Sequence, residues 1–106
     1  MSAVSERAGS LRAAIKANRA ALLGVLERYG ASNPRLFGSV ARGDATAGSD
    51  VDVLVDLEPG VGNPLLRVAG IGEEFSRILG VRVDVVTDSL LREPVAESAY
   101  RDAVAL

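Results

Sequence analysis

The sequence predicts a small α/β domain in which a short sheet of three to four strands packs against helices. Two amphipathic segments, residues 10–29 and 64–79, repeat apolar side chains with a helical period. Two valine-rich segments, residues 50–56 and 81–86, alternate apolar and polar side chains as half-buried strands do. With one more short apolar strand before the first valine segment, this order favours a single sheet covered by helices.

The first helix is expected over residues 10–29, with Ser10 as its N-cap and Gly30 just beyond its end. Asn18 is the one polar interruption of its apolar face. That face contains Leu11, Ala14, Ile15, Leu22, Val25 and Leu26. Residues 31–34 are expected to form a connector.

A short strand is expected over residues 35–37, followed by a break at Gly38-Ser39 and a helical turn over residues 40–43. In the next strand, residues 50–56, the period of two places Val51, Val53 and Val55 on a core face. The opposite face carries Asp50, Asp52, Leu54 and Asp56. Because an unpaired buried carboxylate is costly, this second face must be hydrated, paired or bound to a metal.

The second half of the chain repeats both patterns. Asn63 is expected to cap a helix over residues 64–79 that ends at Gly80. Its apolar stripe contains Leu65, Val68, Ala69, Phe75, Ile78 and Leu79. In the strand over residues 81–86, Asp84 lies between two core-facing valines, as Asp52 does. A last helix is expected from Glu93-Pro94, with Val95, Ala99, Ala103 and Leu106 facing inward.

The composition of the chain limits its size class, the kind of metal site it can form and its partners. With 106 residues, of which 48% are hydrophobic, residues 1–106 fit a single domain with a modest core. The chain has no cysteine and no histidine, so a metal would bind oxygen ligands, which favours magnesium or manganese. The net charge of -2, without a basic block, argues against long nucleic acid as a partner. No signal peptide or membrane span is recognisable, so we expect a cytoplasmic protein without a membrane partner.

Asp50 and Asp52 are candidates for a shared metal site. Their side chains leave the same face of a strand about 6–7 Å apart, so both can reach one pair of cations. Two-metal sites use carboxylates in this way during phosphoryl transfer. Gly38-Ser39 adds a turn with a close backbone approach, free N–H groups and a hydroxyl for phosphate oxygens. Asp56 lies about 13 Å along the strand from Asp52, too far for the same cations.

Each of these features alone also has an ordinary structural explanation. An Asp-x-Asp pair, or Asp84 by itself, is commonly a hydrated carboxylate on a strand, and Gly-Ser is commonly a turn. A P-loop is excluded, because Asp44-Ala45 stand where lysine and Ser/Thr are required. An EF-hand is excluded as well, because Leu54 and Val55 replace a ligand and the obligatory glycine.

The combination is more specific than its parts. The sequence combines Gly38-Ser39, an interval of ten residues, Asp50-Val51-Asp52 and then Asp84 on the following strand. This set resembles the polymerase beta-like nucleotidyltransferase superfamily, in particular the minimal nucleotidyltransferase antitoxins of HEPN-MNT toxin–antitoxin pairs. The resemblance covers nearly the whole chain. It implies a small nucleotidyltransferase fold with a short mixed sheet.

The resemblance further implies a magnesium-dependent transfer of AMP from ATP to an acceptor hydroxyl, with release of pyrophosphate. Asp50 and Asp52 would bind both magnesium ions, and Asp84 would bind one of them and help deprotonate the acceptor. Gly38 and Ser39 would bind the triphosphate, with Arg42 as a further phosphate contact. The acceptor would be a tyrosine of a partner HEPN ribonuclease, which is neutralised by the modification and could form a hetero-oligomer with the chain; a homo-oligomer is also open.

Two alternatives stay open at this point. The chain could be a non-catalytic antitoxin that neutralises its partner by binding, although none of the three acids is replaced. It could also be a nucleotidyltransferase for a small molecule such as an aminoglycoside, although the length of the chain leaves little for an acceptor-binding domain.

Overall fold

The computed structural model describes residues 3–43, 50–87 and 104–106. Its elements, in chain order, are α1 (Ala3–Ala17), α2 (Arg19–Arg28), β1 (Ala31–Phe37), α3 (Gly38–Arg42), β2 (Val51–Leu57), α4 (Pro64–Leu79), β3 (Val83–Val86) and β4 (Val104–Ala105). The strands form a sheet in the order β3-β2-β1-β4. β1 is antiparallel to β2 and to β4, whereas β2 and β3 are parallel. The predicted α/β class and short mixed sheet, including the fourth strand, are confirmed.

The helices cover one face of this sheet and build the hydrophobic core there. Leu36, Val53 and Val85 are register partners across β1, β2 and β3, and each exposes at most 8% of its surface. The helical contribution to the core is Leu11, Ile15, Leu22, Val25, Leu26, Val40, Val68, Ile71 and Phe75. Within the described part of the chain, no helix combines the length and apolarity needed to cross a membrane.

The opposite face of β2 carries the acids, as predicted, but it is less polar than expected. Val51, Val53 and Val55 are buried on the core side. Leu54 lies on the other side and is nevertheless completely buried. The acidic positions on either side of Leu54 are only partly buried and reach solvent. The grouping of Leu54 with a hydrated face was therefore wrong.

The predicted first helix is two helices that meet at Asn18. α1 begins at Ala3, so Ser10 lies inside it and is not an N-cap. At Asn18 the backbone leaves the helical conformation, with φ -104° and ψ 12°, while its amide Nδ2 donates a hydrogen bond to the Ala14 carbonyl at 2.8 Å. A side chain that bonds to a nearby carbonyl offers the backbone an alternative to the helix, and here it ends α1.

β1 begins earlier than predicted, because residues 31–34 belong to the strand and not to a connector. Asn33 has a positive φ of 51°, Pro34 has no N–H to donate, and the register with β2 shifts between Ser32 and Arg35. These are the properties of a β-bulge, which accommodates turn-forming residues within a paired strand.

α4 has the predicted ends but a partly different buried face. The Asn63 side chain accepts hydrogen bonds from the N–H groups of Leu65 and Leu66, and Gly80 ends the helix in the left-handed conformation at φ 70°. Leu65 is 62% exposed and Ala69 is exposed too, against expectation. The buried face is formed by Arg67, Val68, Ile71, Gly72 and Phe75.

The C-terminal expectations are corrected in part. β3 begins at Val83 rather than at residue 81. The helix predicted from residue 93 lies outside the described residues. Leu106 packs against the core, as expected, but from an extended segment, since its N–H donates to the Pro34 carbonyl at 3.2 Å next to β4.

Arg67 joins three segments through backbone carbonyls. Its guanidinium donates to the carbonyl oxygens of Tyr29 at 2.9 Å, Gly30 at 2.8 Å and Glu58 at 2.9 Å, and only 8% of the residue is exposed. Two of these carbonyls lie at the C-terminal end of α2, where the helix dipole favours a cation. A charged side chain therefore fixes α2 and the segment after β2 to α4.

Replacing Arg67 with methionine keeps much of the apolar stem but leaves these carbonyls without their donor. We expect the free energy of unfolding to fall by about 2–4 kcal/mol, measured by urea denaturation, because hydrogen bonds to charged groups are stronger than neutral ones. Arg77→Met is the matched control. Its guanidinium is 71% exposed and pairs with Glu73 on the helix surface, so the change should stay within about 0.5 kcal/mol. Equal losses in both variants would contradict the proposed role of Arg67.

α2 and α4 are also connected by a second set of side chains, Arg28, Tyr29 and Glu74. The Tyr29 ring lies over Gly70, where a Cβ would be 2.6 Å from its Cε1 atom. Arg28 pairs with Glu74, and this hydrogen bond, followed by the one from Tyr29, lowers the pKa of Glu74 below its ordinary value near 4.5. The hydrogen bond to Glu74 in turn raises the pKa of Tyr29 above 10.0.

Because the pKa of Glu74 is lowered in the folded protein, its contribution to stability is present above pH 4.5 and is lost as the pH falls through the lowered value. Glu74→Gln should therefore be less stable than the parent protein at pH 7, and the difference should shrink in acid. Urea denaturation between pH 7 and about pH 3 measures this. Glu73→Gln, which alters an exposed neighbour on the same helix, is the control for the substitution and should change the stability at pH 7 by no more than about 0.5 kcal/mol. A constant gap between parent and Glu74→Gln across that range would disprove the linkage.

Candidate active site

Asp52 and Asp84 lie side by side on the face of the sheet opposite the helices. β2 and β3 are parallel, and Asp52 pairs with Asp84 in their register while Val51 pairs with Val83. Partners on neighbouring strands point to the same face about 4.8 Å apart in the backbone. Asp50 precedes Asp52 by two residues on the same strand line, so alternation places its side chain on that face as well.

Gly38 brings the start of α3 against Asp52. The last residue of β1, Phe37, pairs with Asp52, and Gly38 follows it with a φ of +72°. A Cβ on Gly38 would overlap with the Asp52 carboxylate, whose Cγ would be only 3.3 Å from it. Glycine is required at this position for two reasons. The left-handed backbone conformation disfavours residues with a side chain, and the Asp52 carboxylate occupies the space that a side chain would need.

The Arg82 guanidinium lies between Asp50 and Asp84. Its Nε atom is 3.6 Å from Asp50 Oδ2 and 3.8 Å from Asp84 Oδ1. All three side chains are accessible, with 76% of Arg82, 36% of Asp50 and 47% of Asp84 exposed. One guanidinium thus partly neutralises two carboxylates on one face.

The remaining candidate residues belong to α3. Ser39 is its second residue and Arg42 its last, so the backbone of both lies near Gly38. Their side chains are outside the described part of the structure. Arg12 of α1 contacts α3, because its guanidinium donates a hydrogen bond to the Ala41 carbonyl at 2.8 Å.

Arg82 is the feature of this site that sequence reasoning missed. The alternation that placed Asp84 on the acidic face also placed Arg82 there, two residues earlier. Its relation to Asp50 depends on the parallel register, which the sequence did not provide. Asp56 had been set apart from the acids on grounds of distance, and it has its own partners: Arg35 at 2.7 Å and Asn33 at 3.0 Å.

Comparison with known proteins identifies the family. A sequence model of the nucleotidyltransferase domain matches residues 21–106 of this chain. The chain belongs to the nucleotidyltransferase family. As an enzyme of this class, it carries the acidic face and the Gly38 turn within the matched region.

The relatives of this nucleotidyltransferase include proteins of archaea. It is 40% identical over 78 residues to the protein adenylyltransferase MntA of Thermococcus cleftensis, a match that covers 74% of this chain and 77% of that protein. A proposed protein adenylyltransferase of Methanocaldococcus jannaschii is 30% identical over 83 residues, covering 78% and 87%. The solved structure of a proposed minimal nucleotidyltransferase superposes with a TM-score of 0.75 at 41% identity, covering 91% of this chain and 95% of that one. The resemblance to minimal nucleotidyltransferases inferred from the sequence is confirmed.

The acidic residues of this nucleotidyltransferase fit a divalent cation in their chemistry. Carboxylate oxygens are the ligands that magnesium prefers, and a guanidinium already lies where a cation would compensate Asp50 and Asp84. Among residues 3–43, 50–87 and 104–106, however, no three acidic side chains converge into a ready-made metal cluster. An ion bound between Asp50 and Asp84 would share this space with the Arg82 guanidinium.

Gly38→Ala tests the contact between α3 and Asp52. We expect the variant to lose about 1–3 kcal/mol of unfolding free energy, because it adds backbone strain and displaces the Asp52 carboxylate. Divalent-cation affinity, measured by calorimetric titration with manganese, should fall as well.

Gly80→Ala is the matched control for Gly38→Ala. Gly80 has nearly the same φ, +70°, but a Cβ there meets nothing within 4 Å. It should lose about 1 kcal/mol from backbone strain while keeping the parent affinity for manganese. If the two variants bound manganese equally well, the contact between Gly38 and Asp52 would have no bearing on the site.

Proposed function

We propose that this nucleotidyltransferase transfers AMP from ATP to a hydroxyl group of a partner protein. The observation that carries the proposal is the pairing of Asp52 with Asp84 on one face, with Gly38 packed against Asp52. Support for AMP as the transferred group, and for a protein as its acceptor, comes from relatives that are named protein adenylyltransferases and are covered over most of their length.

All three acids would bind metal, and Asp84 would also act as the base. Asp50 and Asp52 would hold two magnesium ions, and Asp84 would share one of them; the ions would neutralise the phosphate oxygens and the charge that develops on them. Asp84 is the best placed base, because it lies on the outermost described strand next to β2 and is half exposed. A carboxylate there can accept a proton from an incoming hydroxyl.

The transfer can be written with this chain's residues as the acting groups. Gly38 and Ser39, at the start of α3, would orient the triphosphate, with Arg42 as a further contact. The acceptor oxygen forms a bond to the α-phosphorus, and the bond from that phosphorus to the α,β-bridging oxygen breaks. Asp84 takes the hydroxyl proton, and pyrophosphate leaves with the electron pair of the broken bond. The reaction consumes one ATP and needs no further reactant.

The acceptor that we propose is a tyrosine of a HEPN-type toxin, with this chain as the antitoxin. The support is the resemblance to HEPN-MNT pairs in the Gly38-Ser39 and three-aspartate motif. A half-exposed acid on a sheet edge suits a large acceptor, because a protein side chain can approach Asp84 from solvent.

The proposal is tested by incubating the chain and its co-expressed partner with ATP and magnesium. Mass spectrometry of the intact partner should show mass increments of AMP, and peptide mapping should assign them to tyrosine. Asp52→Asn should abolish the increments, and Asp84→Asn should slow their formation by roughly 10²–10⁴-fold, the usual contribution of a general base. Removal of magnesium with a chelator should also abolish them.

Asp56→Asn is the control for these substitutions. Asp56 lies on the same strand and face as Asp52, but it pairs with Arg35 and is remote from Asp84. Its variant should modify the partner at the parent rate. Neutralisation of the toxin by Asp52→Asn without any adduct would favour a binding antitoxin. Labelled AMP on a small-molecule acceptor in the absence of protein would show that the acceptor class is wrong.

A further inference from the structure

We infer that Arg82 is a built-in counter-cation of the acidic face, which occupies the site in place of a divalent ion and lowers the affinity for that ion. The inference rests on the proposed metal site at Asp50, Asp52 and Asp84. It assigns a function to a residue that is neither a ligand nor a base.

The geometry of Arg82 is that of a shared and loosely bound cation. Its Nε atom is nearly equidistant from Asp50 Oδ2, at 3.6 Å, and from Asp84 Oδ1, at 3.8 Å. These separations are longer than those of hydrogen-bonded ion pairs. The guanidinium therefore balances the charge of two acids without being fixed to either of them.

The backbone and the side chain of Arg82 differ in how firmly they are placed. Its carbonyl accepts a hydrogen bond from the Val51 N–H at 3.0 Å, which anchors the residue at the start of β3. Its side chain is 76% exposed. The anchor keeps the charge within reach of the acids, and the exposed side chain can swing into solvent at little cost.

Two carboxylates on one face repel each other unless a cation lies between them. Arg82 supplies that cation when no metal is bound. A divalent ion entering the same space must displace the guanidinium or accept its repulsion, so either route weakens binding of the ion. At about 6 Å, a unit and a double positive charge in water repel by an amount that changes affinity about tenfold.

The test measures cation binding without catalysis. Manganese is titrated into the full chain in the absence of nucleotide, and free Mn²⁺ is followed by electron paramagnetic resonance. Arg82→Gln should bind Mn²⁺ about three- to tenfold more tightly than the parent at low ionic strength. The gain should shrink as salt rises toward 0.1 M, where screening acts over about 10 Å.

Two variants serve as controls. Arg77→Gln removes an equally exposed arginine that pairs with Glu73 on α4, so Mn²⁺ affinity should not change. Arg82→Lys keeps the charge without the planar guanidinium, and it should stay close to the parent affinity if charge is the cause. Thermal unfolding without metal checks that all variants are folded, which the exposure of both side chains favours.

The outcomes separate this inference from the proposed function. If the parent chain bound Mn²⁺ but Arg82→Gln bound it equally or more weakly, the inference would be wrong and the metal site would stand. If Arg82→Gln lost ATP affinity with unchanged Mn²⁺ affinity, Arg82 would be a phosphate contact instead. If the parent chain bound no Mn²⁺ at all, both the metal site and the inference would fail.

Discussion

The parallel pairing of β2 with β3 is the constraint on which the rest of the structure depends. In this register Val51 meets Val83 and Asp52 meets Asp84. Because strand side chains alternate, a slip of one residue would turn Asp84 toward the helices and bring a valine beside Asp52. The valine face and the acidic face of β2 and β3 are therefore two consequences of one register.

α4 secures that register from the core side. Gly72 lies so close to β3 that a Cβ would be 3.2 Å from the Val83 carbonyl oxygen. Ser76 accepts a hydrogen bond from the Val83 N–H at 2.9 Å and donates one to the Gly72 carbonyl at 2.7 Å. A serine and a glycine of α4 thus hold Val83, the residue before Asp84, in place. Substitutions at these two positions would act on the site through β3.

The sequence predicted those parts of the fold that follow from strict periodicity. Alternation placed Asp52 and Asp84 on one type of face, and Asn63 and Gly80 marked the ends of α4. It failed where an individual residue overrode the local pattern. The early start of β1 depends on a bulge that absorbs Asn33 and Pro34, and such a bulge is stabilised by the neighbouring strand rather than by local preference.

The second reason why the sequence-based prediction was wrong in places is that charged residues do not always lie on the solvent side. The buried face of α4 includes Arg67, which is 8% exposed, and a search for apolar side chains assigns such a residue to the solvent side. The predicted stripe therefore included Leu65 and Ala69, which are exposed. Likewise, the candidate acids could be chosen by residue type and spacing, whereas the contact of Gly38 with Asp52 and the bridging by Arg82 exist only once the strands are paired.

The two arginine–aspartate arrangements on this face of the sheet differ in how closely the arginine approaches the carboxylate. Arg35 is only 16% exposed and binds Asp56 at 2.7 Å, and Asn33 donates a second hydrogen bond to the same carboxylate. Charge-assisted hydrogen bonds of this length are shorter and stronger than neutral ones, so Asp56 has a close partner although 48% of its side chain is exposed. Arg82 is exposed and stays more than 3.5 Å from Asp50 and Asp84, where an ion pair contributes about 0–1 kcal/mol. Compared with Asp56, Asp50 and Asp84 thus have the weaker arginine partner, which is what the proposed exchange of Arg82 for a divalent ion requires.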